Sequence, residues 1–380
     1  MEKLVLTEEE QMVRESAAGF LAEQAGPDEL RAIRDNENPL GYSAETWQQM
    51  IELGWPAILV AEEQGGLGFS HTAMGQIMEL AGNTLACSPL FATAVAGASV
   101  LSLGGTDAQK SELLPMVAAG ELTLALAIDE TARHDPASIA MTADSNGDGH
   151  RLNGSKCFVA DGNVADQLIV SARTSGVTGD ADGISLFLVP RDADGVAVTR
   201  TPMVDSRNAA TVRFSDVSVG SDQLLGVLDK GMAILQPALN IANVHLAAEL
   251  LGIANESFQR TLQYLKERKQ YGVFIGTFQA LQHRAAILWT EIELCKSIVL
   301  KALRALDDSP EDAALLASMA KVKTCRTAEL ATNEAIQMHG GIGMTDEFDI
   351  GFFLKRARVA QLLFGDHRYH LNRCAELSGY

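Results

Sequence analysis

The alternation of hydrophobic and polar residues divides the chain into three stretches. Residues 1–120 have the spacing of helices. Thr7 and Glu10 form a capping-box signature, with threonine at the N-cap and glutamate at the third helical position. An apolar stripe at helical spacing follows: Met12, Val13, Ala17, Phe20 and Leu21. Helical spacing resumes from Thr72, so this stretch predicts a helical N-terminal domain.

Residues 121–228 have a different pattern, in which short apolar runs alternate with clusters of Gly, Asp, Asn and Pro. The apolar runs are Leu122–Ile128, Gln167–Ser171, Gly183–Val189, Val196–Thr199 and Thr211–Phe214. The Asn146-Gly147 pair is typical of a hairpin turn. We expect a β-domain of about seven or eight short strands, arranged as a sandwich or a barrel.

Residues 229–380 return to helical spacing, now in long amphipathic segments. The predicted helices span 231–269, 278–306 and 309–340. Ser309 and Pro310 have the pattern of an N-cap followed by the first helical position, and Gly340 and Gly341 have the pattern of a helix end. Such long apolar-faced helices favour a bundle that also packs against other subunits. The order of elements predicts an α+β multidomain fold.

Composition excludes several functions. The net charge is −19 and the isoelectric point is near 4.8, which argues against nucleic-acid binding and against adsorption to anionic membranes. The five cysteines are scattered, as expected of reduced thiols in the cytoplasm. We see no signal peptide, no uninterrupted apolar stretch long enough for a membrane span, and no metal-ligand constellation.

Four motifs carry a family resemblance. Glu267–Gly272 followed by Gln279 resembles the ERK-x-F-G and x-Q words of the acyl-CoA dehydrogenases, and Gln337–Gly343 resembles their Q-x-x-G-G-x-G. Ala61–Gly68 resembles their EE-x-GG-x-G turn, and Leu224–Gly226 resembles the end of their β-domain. The resemblance covers nearly the whole chain in the right order. It implies the acyl-CoA dehydrogenase fold, with an N-terminal helical domain, a central β-barrel or sandwich and a C-terminal helical bundle.

The resemblance also implies that the chain binds FAD and acts on an acyl-CoA thioester. Arginine presents a planar fork of donors that suits phosphate oxygens. By resemblance, seven residues would contact the FAD of a neighbouring subunit: Arg268, Gln270, Tyr271, Gln279, Gln337, Gly340 and Gly341. The alternatives are a surface ion pair for Arg268 and a simple helix end for the two glycines.

The catalytic base departs from the family pattern. The family reaction removes a proton next to the thioester carbonyl, which needs a carboxylate. Most relatives place a glutamate at the position of Phe364, and a minority place it on an earlier helix at the position of Ala242. Neither phenylalanine nor alanine accepts a proton, so both usual base positions are empty.

Two other acids are weaker candidates for the base. Asp366 lies two residues after Phe364, and it is alternatively a helix-end or loop acid. Glu249 lies seven residues after Ala242, on the same helix face but about 10 Å further along the axis, which favours a buried structural acid.

The β-domain also lacks groups that relatives offer to the flavin they bind. Phe158 and Ala160 replace a tryptophan and a threonine, and only Asp135 persists from a glycine-containing motif that precedes them. The groups offered to a neighbour's flavin are intact. This asymmetry, and the ending Phe364–His367, resemble the small-subunit branch of the family, which includes pimeloyl-CoA dehydrogenase small subunits.

Three hypotheses follow. In the first, the chain pairs in a tetramer with a glutamate-bearing paralogue, and an electron-transferring flavoprotein accepts the electrons. In the second, a homotetramer is self-sufficient and uses an unusual base such as Asp366. In the third, the chain is a non-catalytic protein that binds acyl-CoA or flavin. The acyl pocket is expected near Phe364 and residues 242–245, and the acyl group stays open.

Overall fold

The structure, a computed structural model, describes residues 5–380 apart from the side chain of Pro310. The α-helices are α1 (Glu8–Gln24), α2 (Pro27–Asp35), α3 (Ala44–Glu52), α4 (His71–Thr84), α5 (Ala98–Gly104), α6 (Asp107–Ala118), α7 (Met232–Glu267), α8 (Gln279–Asp308), α9 (Pro310–His339), α10 (Ile350–Leu362) and α11 (His367–Leu377). A π-helical segment, Phe91–Gly97, leads into α5.

The strands are β1 (Leu124–Ala127), β2 (Thr142–Asn146), β3 (Gly149–Ala160), β4 (Gln167–Arg173), β5 (Ile184–Pro190), β6 (Val196–Pro202), β7 (Asn208–Val219), β8 (Leu224–Leu225), β9 (Lys269–Gln270) and β10 (Val273–Phe274). The order of helices, then strands, then long helices confirms the predicted α+β architecture.

The chain forms two compact units, which we call the helical unit and the sheet unit. The helical unit contains Met1–Ala32, His71–Cys87 and Asn243–Tyr380. The sheet unit contains Ile33–Ser70 and Ser88–Ala242. The boundaries of these two compact units therefore differ from those of the predicted domains 1–120, 121–228 and 229–380. That three-domain division, which follows the change of element type, stays a prediction.

The sheet unit is organised around one eight-stranded mixed sheet. Its strand order is β6-β7-β3-β2-β4-β5-β8, and β1 pairs in parallel with β4. The side chains of β4 and β5 are buried along most of both strands, whereas β7 alternates between buried and exposed residues. Its apolar core includes Leu152, Phe187 and Phe214. The eight strands agree with the predicted seven or eight.

The β2–β3 hairpin confirms the turn predicted at Asn146-Gly147. Asn146 pairs with Gly149, so Gly147 and Asp148 form a two-residue loop. Gly147 has φ +63°, a conformation that the absence of a Cβ permits at little cost.

Helix α7 runs through the core of the helical unit from Asn243 onward, and α4 packs closely against it. A Cβ on Gly82 of α4 would lie 2.1 Å from the carbonyl oxygen of Glu249 on α7. Conversely, a Cβ on Gly252 of α7 would lie 1.8 Å from the carbonyl oxygen of Glu79 on α4. We call this pair of contacts the glycine seam; it requires glycine at both positions because the two backbones nearly touch.

Helix α7 is also long and apolar enough to cross a membrane by length and composition. However, 89% of its most apolar window is buried inside the protein, as in the core helix of a globular fold. Among the described residues, no other helix passes the same test.

The predicted helix ends are present. Thr7 Oγ1 accepts a hydrogen bond from the Glu10 backbone N–H (3.2 Å), and the Glu10 carboxylate accepts one from the Thr7 backbone N–H (2.8 Å), which is the predicted capping box. Helix α9 begins after Ser309, with proline at its first position, and ends at Gly340, which has φ +66°.

Candidate flavin-binding surface and proton-transfer site

Arg268 leads from the end of α7 into a tight hairpin. Gln270 on β9 pairs with Val273 on β10, so Tyr271 and Gly272 form a two-residue loop. Their φ angles are +54° and +79°, as a type I′ turn requires at both central positions. Glycine adopts this conformation readily and tyrosine rarely does. The turn projects Tyr271 outward with 94% of its surface exposed.

The hairpin motif and the glycine motif lie close together in the helical unit. Tyr264, one turn before Arg268 on α7, stacks on His339 with ring centroids 4.4 Å apart. His339 belongs to the Gln337–Gly341 motif, and its ring also contacts Phe348 at 4.8 Å. Two motifs that are distant in sequence are thus linked by an aromatic contact to the buried ring of His339.

The turn after α9 is open to an approaching ligand. Nothing lies within 4 Å of the Cβ that a residue larger than glycine would carry at Gly340 or Gly341. A short 3₁₀ segment, Gly340–Met344, follows α9 directly. A ligand could therefore contact the backbone of these two glycines directly, because no side chain covers it.

All seven residues predicted to contact FAD are exposed: Arg268, Gln270, Tyr271, Gln279, Gln337, Gly340 and Gly341. Within residues 5–380, no acidic side chain pairs with the Arg268 guanidinium, so its fork of donors remains available. Exposed amides, an exposed guanidinium and open glycines fit the hydroxyls and pyrophosphate of FAD. We call this group the flavin surface.

A buried aromatic ring lies at the base position that the sequence predicts. Phe364 lies between α10 and α11, with 4% of its surface exposed and φ +55°. Its carbonyl oxygen lies 3.0 Å from Nε2 of the buried His370. The phenyl group therefore takes space at this position and offers no proton-accepting atom.

Asp366 forms the N-cap of α11. Its Oδ1 accepts hydrogen bonds from the backbone N–H groups of Arg368 (3.0 Å) and Tyr369 (2.9 Å). These bonds satisfy two of the donors that a helix start leaves without intrahelical partners. The arrangement favours the helix-end interpretation of Asp366 over the base.

Lys321 on α9 joins the chain segments next to both empty base positions. Its Nζ donates to the carbonyl oxygen of Leu363, which precedes Phe364, at 2.7 Å. It also lies 3.2 Å from Oδ1 of Asn243, which follows Ala242. Lys321 is fully buried, and desolvation lowers its pKa to about 8.

Glu249 is paired with a buried arginine. Its Oε1 lies 3.4 Å from Nη1 of Arg356 on α10, and neither side chain is more than 3% exposed. The Arg356 guanidinium also donates to the carbonyl oxygens of Leu85 (3.1 Å) and Ala86 (3.0 Å). These contacts give Glu249 a structural role, which ties α7 to α10 and to the end of α4.

A pair of histidines, unrecognised in the sequence as chemical groups, lies next to this region. Nδ1 of His71, at the start of α4, is 3.2 Å from Nε2 of His245 on α7. His245 is fully buried, whereas His71 is partly exposed. Sequence inspection placed His245 only in the helix that lines the expected pocket, because its partner is far away along the chain.

The segment of the sheet unit where flavin contacts were expected makes internal contacts instead. Phe158 has φ +52° and lies in an irregular part of β3, between Lys156 and Val159. Lys156 points inward and donates to Oε1 of Glu130 at 2.8 Å; burial lowers its pKa to about 8. The buried Asp129 carboxylate lies 2.8 Å from Nδ1 of His134. Internal polar pairs therefore stabilise this segment.

Among the described residues, no group of three or more His, Cys, Asp or Glu side chains is arranged to hold a metal ion.

Comparison with known proteins identifies the family. Models of the acyl-CoA dehydrogenase N-terminal, middle and C-terminal domains match residues 7–121, 125–217 and 229–378. Probable acyl-CoA dehydrogenase YngJ of Bacillus subtilis is 33% identical over 364 residues, which cover 94% of each chain.

Two solved structures are similar over their whole length. A chain from the structural study of the electron-transferring flavoprotein of Acidaminococcus fermentans has a TM-score of 0.90 and 27% identity, with 100% of both chains covered. A variant of the Tcur3481-Tcur3483 steroid ACAD has a TM-score of 0.87 and 30% identity, with 98% of both chains covered. The chain belongs to the acyl-CoA dehydrogenase family, whose members are FAD-dependent oxidoreductases that act on CH–CH bonds.

Proposed function

We propose that this chain is the base-lacking subunit of a heteromeric acyl-CoA dehydrogenase. A glutamate-bearing paralogue supplies the base, and the complex desaturates an acyl-CoA thioester between Cα and Cβ. FAD, when bound, supplies the hydride acceptor. This chain contributes the flavin surface, which completes the cofactor site of its neighbour.

The proposal rests on the contrast between the flavin surface and the position of Phe364. The flavin surface keeps its guanidinium, amides and open glycines, all exposed to a neighbour. The usual base position, by contrast, holds the buried ring of Phe364, and the nearby Asp366 carboxylate caps a helix. A subunit that binds its neighbour's flavin but leaves proton removal to that neighbour would show this contrast.

The assembly follows from the same proposal. We propose a heterotetramer in the cytoplasm, with an electron-transferring flavoprotein as electron acceptor. The similarity to a steroid ACAD named for two proteins supports the heteromer. The similarity to a chain studied with an electron-transferring flavoprotein supports the acceptor. The domain division at residues 120 and 228 is part of this proposal and can be tested by expressing the segments.

The decisive experiment measures bound flavin. The chain is purified alone and after co-expression with a glutamate-bearing paralogue, and the visible spectrum and FAD content of each are recorded. We expect a colourless lone chain and about one FAD per two chains in the complex. One FAD per chain in the lone protein, bleached by an acyl-CoA, would contradict the heteromer. A protein colourless even with its partner would indicate a non-catalytic paralogue.

A second candidate is a self-sufficient homotetramer with a non-glutamate base. The histidine pair is the observation that favours it, since a buried imidazole on α7 lies close in sequence to Ala242. In this alternative the chain binds its own acyl-CoA and FAD and needs no paralogue.

A further inference from the structure

The sheet unit contains a cavity of about 310 Å³ between the end of α2 and the hairpin of β6 and β7. Three arginines line it: Arg34 of α2, Arg200 of β6 and Arg207 of the hairpin loop. We call it the arginine cavity. The chain has 49 acidic residues against 30 lysines and arginines, so a cavity with three guanidinium groups runs against its overall charge. Guanidinium groups that converge in this way suit phosphate or carboxylate oxygens.

The Arg200 guanidinium is fixed in place and still has donors to offer. Its Nε donates to Oδ1 of Asn208 at 2.7 Å, and its Nη2 donates to the carbonyl oxygen of Asn38 at 2.9 Å. Within residues 5–380, its Nη1 has no hydrogen-bond partner and no carboxylate pairs with the group. Nη1 is also absent from the buried unpaired atoms of this part of the chain. Its N–H groups are therefore available to a ligand in the arginine cavity.

The other two arginines are oriented by carboxylates of their own. Nε of Arg207 donates to Oδ2 of Asp205 at 2.8 Å, and the Asp205 side chain is fully buried. Nε of Arg34 donates to Oδ1 of Asp35 at 2.7 Å. These contacts fix the directions of both side chains before a ligand arrives, which reduces the entropy that binding must cost.

Ser206 adds a hydroxyl to the lining of the arginine cavity. Its φ angle is +69°, a left-handed conformation that serine seldom adopts and glycine adopts freely. Its backbone N–H donates to the carbonyl oxygen of Met203 at 3.0 Å. Its Oγ, by contrast, makes no hydrogen bond in the described part of the chain. A hydroxyl and a guanidinium edge that the protein does not use thus line one cavity, which favours a ligand with several acceptor oxygens.

The remaining lining is mostly apolar. Ile33, Pro202 and Met203 form this apolar wall. A bare inorganic anion would leave the apolar wall in contact with water, so the lining favours an anion that carries an organic group. Among the described residues that line the cavity, Glu37 alone carries a carboxylate, and it is exposed, so water and salt screen its repulsion of an anion.

We propose that the arginine cavity binds the phosphate group of a small phosphate monoester. Arg200 and Ser206 are the direct donors, and the organic part of the ligand packs on the apolar wall. A phosphate monoester has three acceptor oxygens and nearly two negative charges at neutral pH, whereas a carboxylate has two oxygens and one charge. The cavity belongs to the sheet unit and the flavin surface to the helical unit, so this is a second ligand site. It does not depend on whether the chain is part of a heteromer.

The first test is calorimetry of the purified chain with phenyl phosphate, inorganic phosphate and benzoate. We expect phenyl phosphate to bind most tightly. Inorganic phosphate leaves the apolar wall unused, and benzoate offers fewer acceptor oxygens. A chain that binds neither phosphate compound, or that binds benzoate as tightly as phenyl phosphate, would overturn the proposal.

Variants then assign the binding to the arginine cavity. Arg200→Gln should weaken phenyl phosphate binding by about 10- to 100-fold, the usual effect of losing a hydrogen bond to a charged group. The matched control is Arg213→Gln, which removes an exposed arginine of β7 that does not line the cavity and should bind as the wild type does. Equal losses in these two variants would contradict the proposal.

Two further variants change the affinity in opposite directions. Ser206→Gly should weaken binding by about 2- to 10-fold through loss of the hydroxyl, and it should fold normally because glycine adopts φ +69° freely. Glu37→Gln removes a like charge from the lining and should tighten binding by about two- to fivefold. Tighter binding by Ser206→Gly, or weaker binding by Glu37→Gln, would place the phosphate elsewhere.

The last measurement needs no variant. Phenylglyoxal reacts with accessible guanidinium groups, and the modified arginines are located by mass spectrometry with and without saturating phenyl phosphate. We expect the ligand to protect Arg200 and to leave Arg213 as reactive as before. Equal modification of Arg200 in the two samples would overturn the proposal, even where Arg200→Gln has failed to fold.

Discussion

The exposed end of α7 and its buried segment carry different chemical groups. The exposed end, from Arg268 into the hairpin, has the motif residues that suit a flavin pyrophosphate. The buried segment around Asn243–Glu249 has no free carboxylate near Phe364, because Glu249 is paired with Arg356. Under the proposed heteromer, cofactor completion and proton removal are separable tasks, and this chain performs the first.

The largest effect should come from the buried ion pair that makes Glu249 structural. Arg356→Met would leave the Glu249 carboxylate buried without the guanidinium that now faces it. We expect a loss of about 3–5 kcal/mol in the free energy of unfolding, measured by urea denaturation. The matched control is Arg356→Met combined with Glu249→Gln, which should recover much of the loss. A stable single variant would show that Glu249 is free for another role and would weaken the comparison.

The flavin surface is tested by Arg268→Ala in the co-expressed complex. Losing a charged hydrogen-bond donor to the pyrophosphate should weaken FAD binding by about 10- to 100-fold, measured by fluorescence titration of the apo-complex. Lys266→Ala removes a cation that is also exposed but lies outside the flavin surface, so it serves as control. Equal affinities in the two variants would assign the Arg268 motif to assembly rather than to the cofactor.

Two variants of Asp366 distinguish a helix-capping role from a role as the catalytic base. Asp366→Ala should destabilise the chain by about 1 kcal/mol, the usual cost of losing an N-cap, whereas Asp366→Asn should be nearly neutral because asparagine also caps helices. Activity of the complex should be the same for wild type and Asp366→Asn. A collapse of activity in Asp366→Asn with unchanged stability would restore Asp366 as the base.

The last prediction concerns pH. The pKa of Lys321 is lowered to about 8 in the folded chain, so the unfolded chain binds more protons between this value and the ordinary lysine pKa. Stability from this group therefore rises as pH increases through that window. We expect Lys321→Met to remove this rise relative to wild type, measured by denaturation at a series of alkaline pH values. An identical pH profile in both proteins would place the lysine in a better-solvated environment.

Local signals were enough to predict much of the fold. The capping box at Thr7, the start of α9 at Ser309 and its end at Gly340 depend on residues within a few positions of one another. The strands that were predicted carry either a short apolar run, as in β4 and β5, or an alternation of apolar and polar residues, as in β7. Strand β2 has no such run, since Ala143 is its one buried residue, and it forms because β3 and β4 flank it.

The site was less accessible to sequence reasoning, because its contacts are long-range. The motif register predicts that Phe364 and Ala242 stand at empty base positions, and this stays a prediction. The pairing of His245 with His71 could not be predicted, since the two residues are joined only by the packing of α4 on α7. The roles of Asp366 and Glu249 likewise depend on partners that no local pattern displays, although a helix-end acid and a structural acid were among the alternatives.

The glycine seam has a consequence for protein engineering. Gly82 and Gly252 bring two backbones so close that α4 and α7 should move as one rigid body, whatever side chains lie further along them. Under the predicted motif register, Ala242→Glu would install a carboxylate on this frame at one of the two predicted base positions, and the modified chain would be a starting point for a catalyst that needs no paralogue.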